Sequence, residues 1–102
     1  MATMSSKNFT LQELHTETGR ISWQELEVHF ARGVVIKVAS DLDIVEVAVG
    51  FANDDKPAVE RWFTAGQVEH LGVETARDWS GRDPELWAVV VAPWVVVQER
   101  VL

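Results

Sequence analysis

Two side chains on a predicted helix have the types and the spacing of metal ligands. Glu25 and His29 lie four residues apart in the segment before Gly33, and a helix places residues i and i+4 on the same face. A metal site needs further ligands, and the other histidines, His15 and His70, stand in no recognised spacing with this pair. A polar helix face is the simpler interpretation, so the sequence predicts no metal ion and no cofactor.

Two pairs of acidic residues could supply a general acid and a general base. Asp41 lies close to Asp43 in the chain, and Asp54 is followed directly by Asp55. Neighbouring carboxyl groups can do acid–base chemistry when their environments separate their pKa values. Each pair also precedes a predicted helix, where an aspartate usually accepts hydrogen bonds from backbone N–H groups. A small enzyme with an acidic site is therefore one hypothesis, and helix capping is the favoured one.

The hydroxyl groups are weak candidates for nucleophilic catalysis. Ser22 and Ser40 precede predicted helices and are better used as caps, which leaves Ser80. The sequence has no Gly-x-Ser-x-Gly, no Walker A loop and no Gly-x-Gly-x-x-Gly. It also has no cysteine, which excludes disulfides and thiolate chemistry. We therefore expect no enzyme activity.

Tryptophan is the residue type that most suggests a binding surface. The chain has five tryptophans and no tyrosine, and tryptophan is enriched among interface anchors. Trp23 and Trp62 lie on the apolar faces of predicted helices, so we assign them to the core. Trp87 and Trp94 lie in the last predicted strand with Pro93 between them, and these three are the predicted interaction residues.

The elements that carry these residues begin with two helices and a strand. Ser22-x-x-Glu25 is a capping box, and Ile21 and Leu26 flank it at the spacing of a hydrophobic staple. A weaker capping box with an apolar stripe marks a helix before this one. A β-branched run marks a strand after it. The sequence thus predicts a flexible tail at 1–9, a short helix at Thr10–Thr18, a helix at Trp23–Arg32 and a strand at Val34–Ala39.

The segment from Asp41 to Asn53 fits two kinds of element. Alternating valines favour a strand, but polar or small residues recur at a helical period, and Ser40 offers an N-cap. We favour a helix stabilised by packing, since Gly50 and the β-branched residues weaken it intrinsically. After a turn at Asp54–Pro57, the apolar spacing predicts another helix at Pro57–Ala65.

The last apolar run, Leu86–Gln98, predicts a strand that is apolar on both faces. Such a strand is usually buried on both faces or covered by another chain. Pro93 cannot donate a ladder hydrogen bond, so we expect a bulge or an edge position there. Because a domain this small has few layers to cover both faces, we expect a homodimer or higher oligomer that covers part of this strand. A strand at Gln67–Leu71 and a short helix at Val73–Ser80 precede it.

The predicted elements follow the order helix-helix-strand-helix-turn-helix-strand-short helix-strand. Without the first helix and the short one, this order is winged-helix-like, with Leu42–Asn53 and Pro57–Ala65 as the helix-turn-helix. We therefore predict a flexible tail followed by a single α+β domain, residues 10–102, with a small antiparallel sheet. The alternative is another α+β arrangement, in which helices cover one face of a small sheet.

The charge of the chain limits the partners that it can bind. Nine Lys and Arg residues against sixteen Asp and Glu residues give −7, and an acidic domain repels the phosphate backbone of nucleic acids. From Asp41 to Glu60, six acids accompany one base. A solvated acidic face is the simple interpretation, and a contact surface for a basic partner is the functional one. We expect no useful affinity for duplex DNA, and no run of about 18 apolar residues offers a membrane span.

Several segments resemble one small bacterial family. They are Ile21-Ser22-Trp23, the run His29–Ile36, and above all Leu86–Val95 with its Ala92-Pro93-Trp94. From about Phe9 to Glu99, the chain resembles the family known as domain of unknown function 2288. The resemblance implies a stand-alone cytoplasmic bacterial protein. It implies no reaction, and it offers no catalytic residues to carry over.

The favoured function is a non-enzymatic protein-interaction or regulatory module that self-associates. A winged-helix DNA-binding regulator is the alternative, with Pro57–Ala65 as its recognition helix. Its acidic surroundings disfavour it, because recognition elements normally bring Arg or Lys to phosphates and base edges.

Overall fold

The elements of the chain alternate between short strands and helices of two to three turns. The structure, a computed structural model, describes residues 18–100. In this part of the chain the elements are β1 (Gly19–Ile21), α1 (Trp23–Ala31), β2 (Val35–Val38), α2 (Ile44–Ala52), α3 (Lys56–Thr64), β3 (Val68–His70), α4 (Val73–Arg82), β4 (Leu86–Val91) and β5 (Trp94–Glu99). The predicted tail at 1–9 and, except for Thr18, the predicted helix at Thr10–Thr18 lie outside the described residues.

Helix α1 begins at the predicted capping box. The Ser22 hydroxyl accepts a hydrogen bond from the Glu25 backbone N–H at 3.1 Å, and the Glu25 carboxylate accepts one from the Ser22 N–H at 3.1 Å. The fully buried Leu26 shares its core cluster with Ile21, as the staple predicts. The prediction for this helix is confirmed.

Helix α2 confirms the helical interpretation of the ambiguous segment, and its N-cap is one of the predicted aspartate caps instead of the serine. Asp43, and not Ser40, is the N-cap, and its Oδ1 accepts a hydrogen bond from the Val45 N–H at 2.9 Å. Val45 and Val47 are both buried. Packing on the sheet therefore outweighs the low helix propensity of these β-branched residues.

Gly50 lets α3 approach α2 closely. A Cβ atom added to Gly50 would lie 2.7 Å from Cη2 and Cζ3 of Trp62, and Trp62 is itself buried. Gly50 therefore has a packing role that outweighs its cost to helix stability.

The last apolar run forms a hairpin, so the prediction of one strand from Leu86 to Gln98 is wrong. Strands β4 and β5 pair antiparallel, with Val89 opposite Val96 and Val91 opposite Trp94. Pro93 lies in the turn between them, where no ladder hydrogen bond is needed. Because the chain folds back at this turn, the β-branched residues of β4 pair with those of β5.

The five strands of the described region form one sheet in the order β1-β4-β5-β2-β3. Three neighbouring pairs are antiparallel, and β2 and β5 are parallel. The α+β class is confirmed, while the predicted small antiparallel sheet is corrected to a mixed one, since β2 and β5 are parallel. The cause is the hairpin, which places β5 between β4 and β2 with the same direction as β2.

Helices cover both faces of the sheet. The residues of α2 and α3 share a core cluster with Ile36 and Val96 on one face, and those of α1 and α4 share another with Val95 and Val97 on the other face. The last run is apolar on both strand faces because helices of the same chain cover both of them. Val90, with 63% of its surface exposed, is the exception on β4. The winged-helix-like order stays a prediction.

Candidate functional site

The hairpin carries the three predicted interaction residues, Trp87, Pro93 and Trp94. Trp87 lies on β4 opposite Gln98, and Trp94 lies opposite Val91, so both tryptophans are on the sheet face that α2 and α3 cover. Val91 lies four positions after Trp87, which is about 13 Å along a strand. Both tryptophans are half-buried, and Pro93 is exposed. The structure therefore joins Pro93 with Trp94 and places Trp87 at the other end of the hairpin.

At one end, Trp94 belongs to a row of four aromatic rings, which we call the aromatic row. Its centroid lies 6.2 Å from that of Phe51 and 5.8 Å from that of His70, with interplanar angles of 63° and 61°. His70 lies in turn 5.6 Å from Phe63. The four rings come from α2, β5, β3 and α3, so only the tertiary fold brings them together.

A cavity of about 190 Å³, which we call the Trp94 cavity, adjoins the aromatic row. Phe51, Val59 and Trp94 form its apolar part. Its charged lining consists of Asp54, Lys56 and Glu60. The cavity thus combines aromatic walls with two carboxylates and one ammonium group.

The turn between α2 and α3 gives its two aspartates different roles. Asp55 is the N-cap of α3, and its Oδ1 accepts a hydrogen bond from the Ala58 N–H at 3.3 Å. Asp54 takes a positive φ of 55°, a conformation that aspartate and asparagine adopt more readily than most residues. One predicted acid pair is therefore split into a cap and a cavity residue.

The candidate catalytic and metal-binding groups have structural roles where their contacts are defined. Asp43 and Asp55 are helix caps, and Glu25 is occupied by the capping box with Ser22. Among residues 18–100, no three histidine, cysteine, aspartate or glutamate side chains group closely enough to hold a metal ion. Residues 18–100 do not bring the candidate catalytic groups together, so this part of the chain adds no support to the enzyme hypothesis.

At the other end, a cation from the same chain covers Trp87. The guanidinium carbon of Arg100 lies 5.6 Å from the centroid of the Trp87 ring. Glu85 accepts ion pairs from Arg20 at 3.2 Å and from Arg100 at 3.9 Å. The Trp87 ring is therefore engaged in a cation–π contact inside the molecule.

An ion-pair cluster around Arg82 fastens α4 to β5. Arg82 contacts Asp78 at 2.8 Å and Glu99 at 2.9 Å, and the Trp79 indole N–H donates to Glu99 at 3.3 Å. The hydrogen bonds from Arg82 hold the pKa values of Asp78 and Glu99 below their ordinary range. Because these contacts join a helix to a strand of the same chain, we assign the cluster a structural role.

The fold and this surface define an α+β protein with a helix-covered mixed sheet. The family model "Protein of unknown function (DUF2288)" matches residues 10–99, so the chain belongs to this family, as the resemblance indicated. The NMR solution structure of PA1075 from Pseudomonas aeruginosa is similar, with 46% sequence identity and a TM-score of 0.81. That match covers 100% of this chain and 89% of the other. No curated protein matches the chain. Within residues 18–100, none of the helices has the length and apolar character needed to cross a bilayer.

Proposed function

We propose that this chain is a non-enzymatic, cytoplasmic protein-interaction module whose contact surface is the aromatic row with the Trp94 cavity. The observation that carries the proposal is the position of Trp94. Its half-buried ring contacts Phe51 and His70 and also lines a cavity whose lining includes three charged residues. Apolar anchors surrounded by polar groups are typical of interaction hot spots.

Helices and strands, and not loops, carry the aromatic row, which favours it as a binding surface. Phe51 and Phe63 lie on helices, and His70 and Trp94 lie on strands of the same sheet. Aromatic side chains held in this way lose little conformational freedom on binding, which favours affinity. Exposed Pro93 extends the surface beside Trp94.

A second copy of the chain is one partner of suitable chemistry. Helices cover most of both faces of β4 and β5, so the two apolar faces of the last run no longer require an oligomer to cover them. A second copy would form its contact at Trp94. Light scattering on the native protein and on Trp94→Lys tests this form of the proposal, with dissociation by the lysine as its expected outcome.

The DNA-binding alternative is less favoured, because acids surround the predicted recognition helix. Asp54 and Asp55 lie at the start of α3, and Glu60 lies within it. Phosphate contacts supply most non-specific affinity for DNA, so these carboxylates oppose binding. We expect no salt-dependent complex with duplex DNA at physiological ionic strength, measured by fluorescence anisotropy.

Peptide selection tests the proposed surface directly, since it requires no identified partner. A display library of random peptides is selected on the native protein, and the affinities of the enriched peptides are then measured for the native protein, Trp94→Lys and Trp87→Lys. We expect enriched peptides that bind the native protein and Trp87→Lys with similar affinity and lose at least tenfold on Trp94→Lys. Equal binding to all three proteins, or dependence on Trp87 alone, would contradict the proposal. Circular dichroism spectra of both variants check that the helices are retained.

A further inference from the structure

We propose that the Trp94 cavity receives one basic side chain, an arginine or a lysine, from a segment of the partner protein. This inference rests on the proposed function and adds the chemistry of the contact. The size of the cavity is the first argument. At about 190 Å³ it is smaller than the roughly 300–1,000 Å³ of most small-molecule sites, and it has room for one long side chain.

The walls of the cavity have the composition that favours an organic cation. Phe51 and Trp94 both line it, with ring centroids 6.2 Å apart and planes inclined by 63°. Aromatic ring faces attract ammonium and guanidinium groups, and tryptophan attracts them most strongly. The apolar Val59 supports the aliphatic stem of such a side chain.

The carboxylates of the cavity are free to pair with a partner's charge. Asp43 and Asp55 are engaged as helix caps, whereas Asp54 and Glu60 make no ion pair with any residue of the described range 18–100. Both of these acids line the cavity. Charge complementarity therefore selects a basic occupant over an acidic one.

The other end of the hairpin shows the proposed contact already made within the chain. There, the Arg100 guanidinium lies over the Trp87 ring while Glu85 lies 3.9 Å from Arg100. At the Trp94 end, an indole and carboxylates are again present, but no cation from residues 18–100 lies over the ring. The partner's basic side chain would take the position that Arg100 takes at Trp87.

Lys56 is the one group of the cavity lining that opposes this contact. Its ammonium group repels an incoming cation, although the two carboxylates outnumber it. Removing its charge should therefore strengthen binding. If the partner were acidic instead, Lys56 would be its main attraction and its removal would weaken binding, so this residue discriminates between the two chemistries.

A titration with blocked tripeptides tests the inference. The probes are acetyl-Gly-Arg-Gly-amide, its lysine analogue, and the neutral citrulline analogue, which has nearly the shape of arginine. The readout is the NMR signal of the Trp94 indole N–H at millimolar probe concentration. We expect saturable shifts with the two basic probes and none with citrulline. No saturation with either basic probe, or equal binding of citrulline, would overturn the inference.

Charge variants locate the contact. Asp54→Asn and Glu60→Gln should each weaken binding of the arginine probe about two- to fivefold, the range expected for an exposed ion pair. Lys56→Ala should strengthen it, and Glu27→Gln, which removes an exposed acid on α1, should leave it unchanged. Equal weakening by Glu27→Gln would indicate attraction to the net charge alone and contradict a site.

The two proposals can fail separately. If the peptide selection gives Trp94-dependent binders that lack basic residues, the interaction surface stands and the basic occupant is wrong. If no peptide depends on Trp94, both proposals are wrong.

Discussion

The two half-buried tryptophans of the hairpin lie on the same face of the sheet and differ in what completes their surroundings. Trp87 is covered by Arg100, which Glu85 holds in an ion-pair cluster with Arg20. Trp94 contacts two aromatic rings and borders a cavity with carboxylates. At the Trp87 end, an arginine of the same chain lies over the indole. At the Trp94 end, an indole and carboxylates line a cavity that is open to the solvent.

This difference shows why residue type alone does not identify a binding surface. Trp87, Pro93 and Trp94 form one sequence motif, yet their neighbours in the fold assign them different roles. A tryptophan whose electrostatic partner is supplied within the chain contributes to stability, whereas one without that partner is available for recognition. Predictions that alter either end separately test the distinction.

The largest effect is expected for Gly50→Ala at the Trp94 end. The new methyl group would lie 2.7 Å from the buried Trp62 ring, so the ring, or α3 with it, must shift away from α2. Overpacking of this kind costs about 1–3 kcal/mol of the free energy of unfolding, measured by urea denaturation. Because α3 carries part of the Trp94 cavity, the Trp94 indole signal should move more than that of Trp87.

Gly19→Ala is the matched control for this prediction. A Cβ atom at Gly19 would have no atom within 4 Å outside its chain neighbours, so we expect a smaller change in the free energy of unfolding. Equal destabilisation by the two substitutions would mean that the α2–α3 packing does not require Gly50.

A somewhat smaller effect is expected for Gln98→Leu at the Trp87 end. The Gln98 side-chain amide donates hydrogen bonds to the carbonyl oxygens of Ala39 and Leu42 at 2.7 and 2.6 Å. The Ala39 oxygen still accepts from the Leu42 N–H, so the substitution removes two hydrogen bonds and takes this donor from the partly buried Leu42 oxygen. We expect a cost of about 1–2 kcal/mol by the same denaturation assay. Gln24→Leu, on the exposed face of α1, is the control, and an equal cost there would exclude a specific role for Gln98.

The Arg82 cluster predicts an acid-dependent contribution to stability outside both tryptophan sites. Arg82 lowers the pKa values of Asp78 and Glu99 in the folded protein. This stabilisation is therefore present above the unfolded pKa values and is lost as the pH falls through the lower folded ones. The stability difference between the native protein and Arg82→Met should shrink from neutral pH to about pH 3.

Thermal denaturation across this pH range gives the measurement. Arg77→Met, which removes an exposed arginine of the same helix, should show no such pH dependence. A stability difference for Arg82→Met that stays constant with pH would rule out the ion pairs as its cause.

The smallest stability effect is expected for Arg100→Ala. The exposed cation–π contact is worth about 0.5–1 kcal/mol, and Arg100→Lys should retain part of it. Arg100→Ala also frees the Trp87 ring beside Glu85, so the arginine probe should now shift the Trp87 indole signal. No new shift at Trp87 would show that an indole with one carboxylate is not sufficient for binding a basic side chain.

The sequence predicts the helices of the described region better than its strands. Capping residues and apolar spacing locate α1, α2 and α3, because these signals are local. The hairpin escapes prediction because β-branched residues continue on both sides of Pro93 and no Gly or Asn marks the turn. Strand β1 escapes prediction because three residues carry no pattern.

The candidate site is predictable by residue type and not by arrangement. Trp94 and Pro93 stand out in the sequence, whereas Phe51 and His70 reach Trp94 only because β5 pairs with β2 and α2 packs on the sheet. Nothing in the spacing of the chain predicts this parallel pairing. The closing of the Trp87 end by Arg100 depends equally on the tertiary fold.

The most direct test of the account compares the two indoles during binding. The Trp94 and Trp87 indole N–H signals, assigned with Trp94→Phe and Trp87→Phe, are followed while the protein is titrated with a peptide enriched by selection on the native protein. The account predicts a saturable shift at Trp94 and an unchanged signal at Trp87. A shift at Trp87 with none at Trp94 would contradict it.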